Sequence, residues 1–299
     1  MTTSAPTHAP THAPTHAPST TVAVTGAYGK AGRAVVADLL AHGYDVRATD
    51  LAGPPGEDAG LGVGLWHADL TDYGQVVEVL AGADAVVHLG NIPAPGRAPG
   101  PHTLTMNTAA NQNVFLAAAR LGMHKVVWAS SETTLGLPFD TPPRYAPVDE
   151  AHFPLPTTEY ALSKVLGEVA AEHVSAWSGI PFVGLRISNI HRPEDYAAVP
   201  GYWADPHARK WNLWGYVDVR DVALACRLGL ERETTGSRNV IVAAADTIMR
   251  TPSRELLATV FPGVGLTREI GEFETLLAID GARALLGYEP QHSWRDHVG

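Results

Sequence analysis

The chain has 299 residues, of which 45% are hydrophobic and 17% are charged; this composition supports a sizeable hydrophobic core and excludes disorder of the whole chain. The formal net charge is −10, from 21 lysines and arginines against 31 aspartates and glutamates. No nucleic-acid partner is expected, because an acidic surface repels phosphate groups, and no membrane partner is expected, because no apolar run reaches the ~20 residues of a membrane-spanning helix.

The first 20 residues are mostly proline, threonine, alanine and histidine, with the unit THAP three times in succession. Such a segment has almost nothing to bury, so residues 1–20 are predicted to form a disordered tail. They lack the basic stretch followed by an apolar one that marks a secretory signal, and we therefore expect a cytoplasmic protein.

Short apolar strands alternate with helical patterns in the next part of the chain. Strands are predicted at 21–25, 44–49, in VGLWHAD, at 84–90, at 125–131 and in PFVGLRIS. This alternation predicts an α/β fold, a Rossmann-like doubly wound parallel sheet, over residues 21–186. Residues 187–299 are less regular and are predicted to form a smaller α+β portion that mainly binds substrate, with segments that return to the first domain.

A glycine-rich turn follows the first predicted strand and precedes a predicted helix. Gly26 permits a tight turn, Gly29 allows the backbone to approach a pyrophosphate, and Gly32 allows the helix to pack closely on the strand. Asp50 ends the second strand, where an acid can bind both ribose hydroxyls of an adenosine. These features predict a dinucleotide site that prefers NAD, while Arg33 keeps NADP open as the alternative.

Tyr160 and Lys164 are four residues apart in a long predicted helix and therefore share one face, about one turn apart. A neighbouring cation favours the phenolate form of a tyrosine, which brings the tyrosine pKa toward the range where it exchanges protons efficiently. Ser130 and Ser131 end a strand about thirty residues upstream. The sequence therefore predicts a proton-transfer centre at this helix.

The one cysteine, Cys226, excludes an intramolecular disulfide and lies in an apolar helical pattern, which indicates an inert core thiol. The fourteen histidines include no HExxH motif, so no metal site is predicted.

Taken in order, the motifs TGxxGxxG, Asp after the second strand, HADL, VVHLG, the serine segment and YxxxK resemble the extended short-chain dehydrogenase/reductase superfamily, the NAD-dependent epimerase/dehydratase family. The resemblance covers residues 21–289. It implies a bound nicotinamide cofactor and a Ser–Tyr–Lys centre. Ser131 would polarise the substrate oxygen, Tyr160 would be the acid/base, and Lys164 would hold the nicotinamide ribose and lower the tyrosine pKa.

Further contacts follow from the glycine turn and the resemblance together. Cofactor-binding residues are expected to be Gly26, Gly29, Lys30, Ala31, Gly32, Asp50, Leu51, Asp69, Leu70, Leu89, Gly90, Asn91, Tyr160, Lys164 and Ile187. Substrate-binding residues are expected to be Ile92, Ser131, Glu132, Thr133, Asn189, Tyr196 and Trp203. Asp69 has a second interpretation, as a helix N-terminal cap, and Asn107 is either structural or functional. The resemblance also implies a homodimer formed through the helices that carry Asn107 and Tyr160.

The segment after the catalytic serine bears on the reaction. Sugar epimerases of the family usually carry a tyrosine before the next glycine, and nucleotide-sugar dehydratases carry two acids after a catalytic threonine. Here Glu132 supplies the first acid, Thr133 replaces the second, and the tyrosine is absent. An NAD-dependent oxidoreductase acting on a hydroxyl or carbonyl carbon is favoured; an epimerase or dehydratase with transiently reduced NAD and a non-catalytic dinucleotide-sensing regulator are the alternatives.

Local similarity is strongest to uronate dehydrogenases, in Asp50-Leu51, in VVHLGNI and in the PEDY segment that ends at Tyr196. Those enzymes bind the sugar carboxylate with an arginine shortly after this tyrosine, where the present chain has AAV. A small-molecule substrate without a carboxylate is therefore expected, unless Arg192 or Arg209 holds the carboxylate from another direction. Tyr196, Trp203, Trp211 and Trp214 indicate an aromatic substrate pocket, with packing against the core as the alternative.

Overall fold

The computed structural model describes residues 20–54 and 60–298, so the predicted disordered tail lies outside the described residues apart from Thr20. Nine strands are formed: β1 Thr21–Thr25, β2 Asp45–Asp50, β3 Leu65–His67, β4 Ala85–His88, β5 Lys125–Ala129, β6 Phe182–Ile187, β7 Ile190–His191, β8 Val217–Asp218 and β9 Ser237–Val242. Seven α-helices are formed: α1 Lys30–Ala41, α2 Tyr73–Leu80, α3 Gly100–Leu121, α4 Glu159–Ser178, α5 Val219–Glu231, α6 Ser253–Val260 and α7 Asp280–Leu286. These counts refer to the described residues.

The main sheet is parallel and has the strand order β3-β2-β1-β4-β5-β6-β9. The chain moves outward from β1 through β2 to β3, and then returns to the other side of β1 with β4. Between β1 and β4 the direction of winding reverses, and open α/β sheets bind ligands in the crevice at the carboxyl ends of the strands there. The predicted Rossmann-like doubly wound sheet is confirmed.

Both faces of this sheet are covered by helices, which explains why its central strands are buried along almost their whole length. One face packs against α1 and α5 through side chains that include Val36, Leu39 and Cys226. The opposite face packs against α2, α3 and α4, with Phe115 and Trp128 at its centre. Cys226 is fully buried in the first of these layers, and burial raises the pKa of its thiol.

The portion after residue 186 divides between the sheet and a third apolar cluster. Strand β9 pairs with β6 over its whole length, and α5 packs on α1, so these two segments extend the main sheet and its helical layer. They join the sheet because β6 would otherwise leave its outer edge unpaired and the face beside α1 uncovered.

What remains of the C-terminal portion packs around a cluster that includes Phe139, Trp214, Tyr216, Leu257 and Trp294. Strands β7 and β8 form a small separate parallel pair at its border with the main sheet. Within residues 20–54 and 60–298, no helix has both the length and the apolar character needed to cross a membrane. The same residues contain no group of three or more histidine, cysteine or acidic side chains arranged to hold a metal ion.

Candidate active site

The glycine turn lies between the carboxyl end of β1 and the first turn of α1. Gly26 has a φ of +69°, and a Cβ atom there would lie 2.7 Å from the backbone nitrogen of Gly90. A Cβ atom on Gly32 would lie 2.1 Å from the carbonyl oxygen of Gly26. Only glycine allows these approaches, which bring the beginning of α1 against the ends of β1 and β4. The first N–H groups of a helix have no partner within the helix, so this edge offers donors to an anion.

Asp50 ends β2 beside this turn. Its carboxylate accepts hydrogen bonds from the backbone N–H of Tyr28 at 2.9 Å and of Ala52 at 3.0 Å. The guanidinium carbon of Arg33 lies 3.8 Å from the centre of the Tyr28 ring, and its Nε donates to the Tyr28 carbonyl. Asp50, which is predicted to bind the adenosine ribose, and Arg33, the alternative residue that would bind the 2′-phosphate of NADP, therefore lie next to the same turn. Leu51 follows with its side chain mostly exposed.

Two of the expected cofactor residues have contacts that the sequence did not indicate. One carboxylate oxygen of Asp69 accepts from the backbone N–H and the hydroxyl of Thr71, whereas Asp72 caps α2; the interpretation of Asp69 as the helix cap is therefore wrong. The ammonium of Lys30 donates to the Ile190 carbonyl and to Asp195, both at 3.1 Å. Its side chain thus reaches the C-terminal portion, and only its backbone remains at the glycine turn beside Ala31.

The loop after β4 completes this edge of the crevice. Leu89 and Gly90 lie directly against Gly26, and the side chain of Leu70 packs so closely that a Cβ atom on Gly90 would lie 2.4 Å from it. Further along the loop, the Asn107 side chain accepts from the backbone N–H of Ile92 at 2.8 Å and donates to the Ile92 carbonyl at 3.1 Å. Asn107 therefore has a structural role here, since it holds the loop in place.

Ser131, Tyr160 and Lys164 come together at the carboxyl ends of β4 and β5. The Lys164 ammonium donates to the side-chain oxygen of Asn91 and to the Ala129 carbonyl, and it lies 5.6 Å from the centre of the Tyr160 ring. Ser131 is near enough to act on the Tyr160 phenol, whose pKa it lowers. The three side chains predicted from two separate segments are neighbours in space.

The Ser131 hydroxyl is oriented by Thr133, whose backbone N–H and hydroxyl both donate to it, at 3.2 and 2.9 Å. Ile187 ends β6 nearby on the same edge of the sheet. Helix α4, which carries the tyrosine and the lysine, begins at Glu159 because the Thr158 hydroxyl accepts from the Ala161 backbone N–H.

The pKa of Tyr160 differs from the expectation that Lys164 lowers it. Burial, with a smaller contribution from the charge of Glu132, raises the pKa of Tyr160 to about 12 against the lowering effect of Ser131. Burial lowers the pKa of Lys164 to about 7, against the opposing effect of Glu168. The expected lowering of the tyrosine pKa by Lys164 is therefore not found in this structure, because desolvation dominates and the ammonium is bonded to Asn91 and Ala129 instead.

A buried ion pair supports this centre and was not singled out from the sequence. Glu168 lies one helical turn after Lys164 on α4 and accepts two hydrogen bonds from the Arg186 guanidinium, at 2.9 and 2.8 Å. The same carboxylate accepts from the hydroxyl of Ser130, the neighbour of Ser131. The spacing of Tyr160, Lys164 and Glu168 along one helix face was the signal that could have identified it.

A second buried group was also missed. The His88 ring bonds to the Thr25 hydroxyl at 2.7 Å and to the Asn111 side chain at 2.9 Å. Burial lowers the pKa of His88 to about 3, so the ring is neutral near neutral pH. The Thr25 hydroxyl in turn accepts from the Gly90 backbone N–H, which ties the end of β1 to the loop after β4.

Polar side chains occupy the expected substrate side of the centre. Glu132 is buried, and its carboxyl accepts from the Ser188 hydroxyl at 2.6 Å and from the Asn212 side-chain amide at 3.4 Å. The side-chain oxygen of Asn189 accepts from the Arg209 guanidinium at 3.0 Å. Ser188 and Asn212 were not among the predicted substrate residues, since they are distant in sequence from Ser131, whereas Arg209 was considered only as a partner for a substrate carboxylate.

The aromatic residues of the C-terminal insertion do not form the expected pocket. Tyr196 is fully buried and its hydroxyl donates to Asp218 at 2.8 Å. The Trp203 ring contacts that of Trp294, and Trp214 is fully buried. The alternative, packing against the core, is the one found. Tyr196 and Trp214 lie within the third apolar cluster, and Trp203 and Trp211 pack partly buried against it.

Comparison with known proteins agrees with this geometry. The model of the NAD dependent epimerase/dehydratase family matches residues 22–244. The chain is 31% identical over 196 residues to a NAD-dependent glucose-6-phosphate dehydrogenase of Haloferax volcanii, which covers 61% of this chain and 74% of that protein. It is 29% identical over 174 residues to a uronate dehydrogenase of Pseudomonas putida, covering 58% of this chain and 62% of that protein.

A solved structure shares the fold. It is a short-chain dehydrogenase/reductase superfamily protein from Agrobacterium tumefaciens with bound NAD. The two chains superpose with a TM-score of 0.70 and 21% identity, over 93% of this chain and 94% of the other.

Proposed function

Because the chain belongs to the NAD-dependent epimerase/dehydratase family, we propose that it is an NAD-dependent dehydrogenase. It transfers a hydride between nicotinamide and a hydroxyl or carbonyl carbon of a small substrate, through Ser131, Tyr160 and Lys164. The observation that carries the proposal is the meeting of these three side chains beside the Gly26–Gly90 contact, at the point where the sheet reverses its winding.

The residues present fit the cofactor. The close backbone approaches at Gly26 and Gly32 leave a cradle without side chains at the start of α1, which suits a pyrophosphate. Asp50 would bind the adenosine ribose, and Lys164 the nicotinamide ribose. When bound, NAD supplies the hydride acceptor.

The chain's own residues handle the proton. In alcohol oxidation the Tyr160 phenolate takes the hydroxyl proton, while Ser131, oriented by Thr133, donates a hydrogen bond to the substrate oxygen. Because burial raises the tyrosine pKa to about 12, the phenolate becomes more populated as the pH rises. Oxidation therefore speeds up on the alkaline side of neutrality, and carbonyl reduction, which needs the phenol, is favoured at lower pH.

NAD is expected to be preferred over NADP by ~5–150-fold in kcat/KM. The Asp50 carboxylate accepts hydrogen bonds from ribose hydroxyls but repels a 2′-phosphate, at a cost of about 1–3 kcal/mol. Asp50→Asn narrows this preference, whereas Asp45→Asn, at the exposed opposite end of β2, leaves it unchanged. Initial rates with both cofactors measure it. A preference for NADP in the wild-type protein would mean that Arg33 dominates over Asp50.

Neutral sugars and polyols are the proposed substrate class. The side chains of Ser188, Asn189 and Asn212 near Glu132 are polar. The support for an apolar pocket is weakened, because Tyr196 and Trp214 are buried in the third apolar cluster and Trp203 and Trp211 pack partly buried against it. The buried Glu132 carboxyl next to Ser131 disfavours a substrate carboxylate, which needs an arginine donor to offset its desolvation. Arg209 is already bonded to Asn189 and to the Gly215 carbonyl.

A panel of neutral aldoses, polyols, glucuronate and galacturonate with NAD, followed by absorbance of the reduced cofactor, tests both the reaction and the class. We expect the highest kcat/KM with a neutral sugar or polyol. If a uronate is best, the substrate argument is wrong and Arg209, rather than the exposed Arg192, is the residue to replace first.

An epimerase remains the second candidate function, because the matching family includes such enzymes. The two differ in stoichiometry: a dehydrogenase accumulates one reduced cofactor per turnover, whereas an epimerase returns the hydride and accumulates none. The third candidate, a regulator, has NAD affinity without turnover; the retained Tyr160–Lys164 pair argues against it.

We also propose that the protein forms a homodimer through α3 and α4. The outer face of α4 exposes Leu162, Leu166, Val169 and Trp177, spaced three to eight residues apart, and sedimentation of the wild-type protein measures the assembly. It also includes a cytoplasmic location, since Cys226 is an unpaired, buried thiol, as suits a reducing compartment.

A further inference from the structure

The carboxyl of Glu132 has no part in the mechanism described above, although it lies beside the reaction centre. It follows Ser131 directly, in a 3-10 helix over Glu132–Leu135, and its side chain is buried. Its two oxygens accept from Ser188, just after β6, and from Asn212, in the 3-10 helix Lys210–Asn212. One carboxyl thus joins three segments that are distant in the sequence.

Resting on the proposed function, we propose that Glu132 is a positioning residue for the reaction: its carboxyl holds these three segments around Ser131, and its charge sets the pH range in which Tyr160 exchanges its proton. A buried carboxyl is costly to keep when it only packs, and an apolar residue would fill the same space. The arrangement therefore points to a use for the charge.

The charge of Glu132 is not neutralised by a direct partner. Among the described residues, no ion pair with a nitrogen–oxygen distance of 4.0 Å or less involves Glu132. The cation that acts on it is Arg209, whose guanidinium donates instead to Asn189 and to the Gly215 carbonyl. The Glu132 charge is also one of the causes that raise the pKa of Tyr160, so the carboxylate disfavours the phenolate.

The other titratable groups around the pair are already balanced. Glu168 on α4 is paired with Arg186 on β6. His191 on β7 is neutral near neutral pH, because burial lowers its pKa to about 4. Lys164 on α4 is not among the groups that shift the pKa of Tyr160, and Arg209 lowers the pKa of Glu132. Burial raises the pKa of Glu132 to about 7 against the hydrogen bonds of Ser188 and Asn212, so the carboxylate is populated in the pH range where oxidation is measured.

The test is the pH profile of kcat/KM for oxidation in Glu132→Gln, which keeps the size of the side chain and removes its charge. The ascending limb is expected to move to lower pH by roughly one unit or less. The plateau should change far less than the ~100-fold expected for loss of the acid/base. Glu132→Asp keeps the charge, so its limb should stay in place while kcat falls.

Glu150→Gln is the matched control. Glu150 is a second largely buried carboxyl whose pKa burial raises, and it accepts from the Ile241 backbone N–H, but it does not act on Tyr160. The ascending limb of the pH profile of Glu150→Gln should coincide with that of the wild type. If Glu132→Gln does not fold, Ser188→Ala serves instead, because it removes one of the bonds by which Glu132 joins the three segments and leaves the carboxylate charged where the phenol titrates. Its kcat should fall while its ascending limb stays in place, and an unchanged kcat overturns the positioning role.

The same shift can be measured without substrate, by titrating the phenolate absorbance of each protein with pH. Subtracting the titration of the same protein with Tyr160→Phe leaves the signal of Tyr160, whose midpoint is compared. An unmoved limb and midpoint in Glu132→Gln, with Tyr160→Phe inactive, overturns this inference and leaves the proposed function standing. An equal shift in Glu132→Asp also overturns it, because the charge is then irrelevant. Near wild-type turnover in Tyr160→Phe overturns the proposed function itself.

Discussion

Tyr160→Phe is expected to lower turnover by about 100-fold or more, the usual effect of removing a positioned acid/base, while NAD affinity stays nearly unchanged. The substitution removes only the phenolic hydroxyl, whose pKa Ser131 lowers. The ring remains buried. The ammonium of Lys164 keeps its bonds to Asn91 and Ala129, so the ribose-binding group stays in place.

Steady-state rates of NAD reduction and a fluorescence titration with NAD measure the two quantities separately. Tyr145→Phe is the control, since it also removes a hydroxyl with a side-chain partner, Asp149 at 2.7 Å, but lies outside the proposed centre. A Tyr160→Phe enzyme with turnover close to that of the wild type would remove the mechanism. A large loss of NAD affinity would instead show that the hydroxyl serves cofactor binding.

Glu168→Gln is expected to lower the free energy of unfolding by about 3–5 kcal/mol, the cost of leaving one member of a buried ion pair without its partner. Both side chains are nearly inaccessible, at 3% for Arg186 and 2% for Glu168. The substitution leaves the Arg186 guanidinium uncompensated and weakens the bond from Ser130. A loss of this size is a large part of the ~5–15 kcal/mol that stabilises a typical folded protein.

Urea unfolding at neutral pH measures this loss as a lower midpoint. The control is Glu269→Gln, which removes an exposed ion pair with Arg254 whose carboxylate side is 96% accessible, and it should leave the unfolding midpoint nearly unchanged. Equal midpoints for the two variants would show that the buried pair contributes no net stability. Because Glu168 opposes the lowering of the Lys164 pKa, the variant should also lose the ammonium form at lower pH than the wild type does.

Local features could be predicted from the sequence because they depend on neighbours within a few residues. The alternation of apolar strands and helices predicted the parallel sheet, and the spacing of Tyr160 and Lys164 placed both on one helix face. The glycines at 26 and 32 predicted close backbone contacts, since no other residue lacks a Cβ atom. Each of these properties is decided by backbone geometry over a single turn or strand.

Burial and long-range partners were decided only by the tertiary structure. Pairing of β9 with β6 depends on which strand is left at the sheet edge, not on either segment alone. Glu132 and Asn212 are 80 residues apart in the chain, and nothing in either segment indicates the other. Whether the pKa of Tyr160 is raised or lowered also depends on how completely water is removed from the phenol. That is a property of the packed site, because desolvation acts through every atom that surrounds the group, whatever its distance along the sequence.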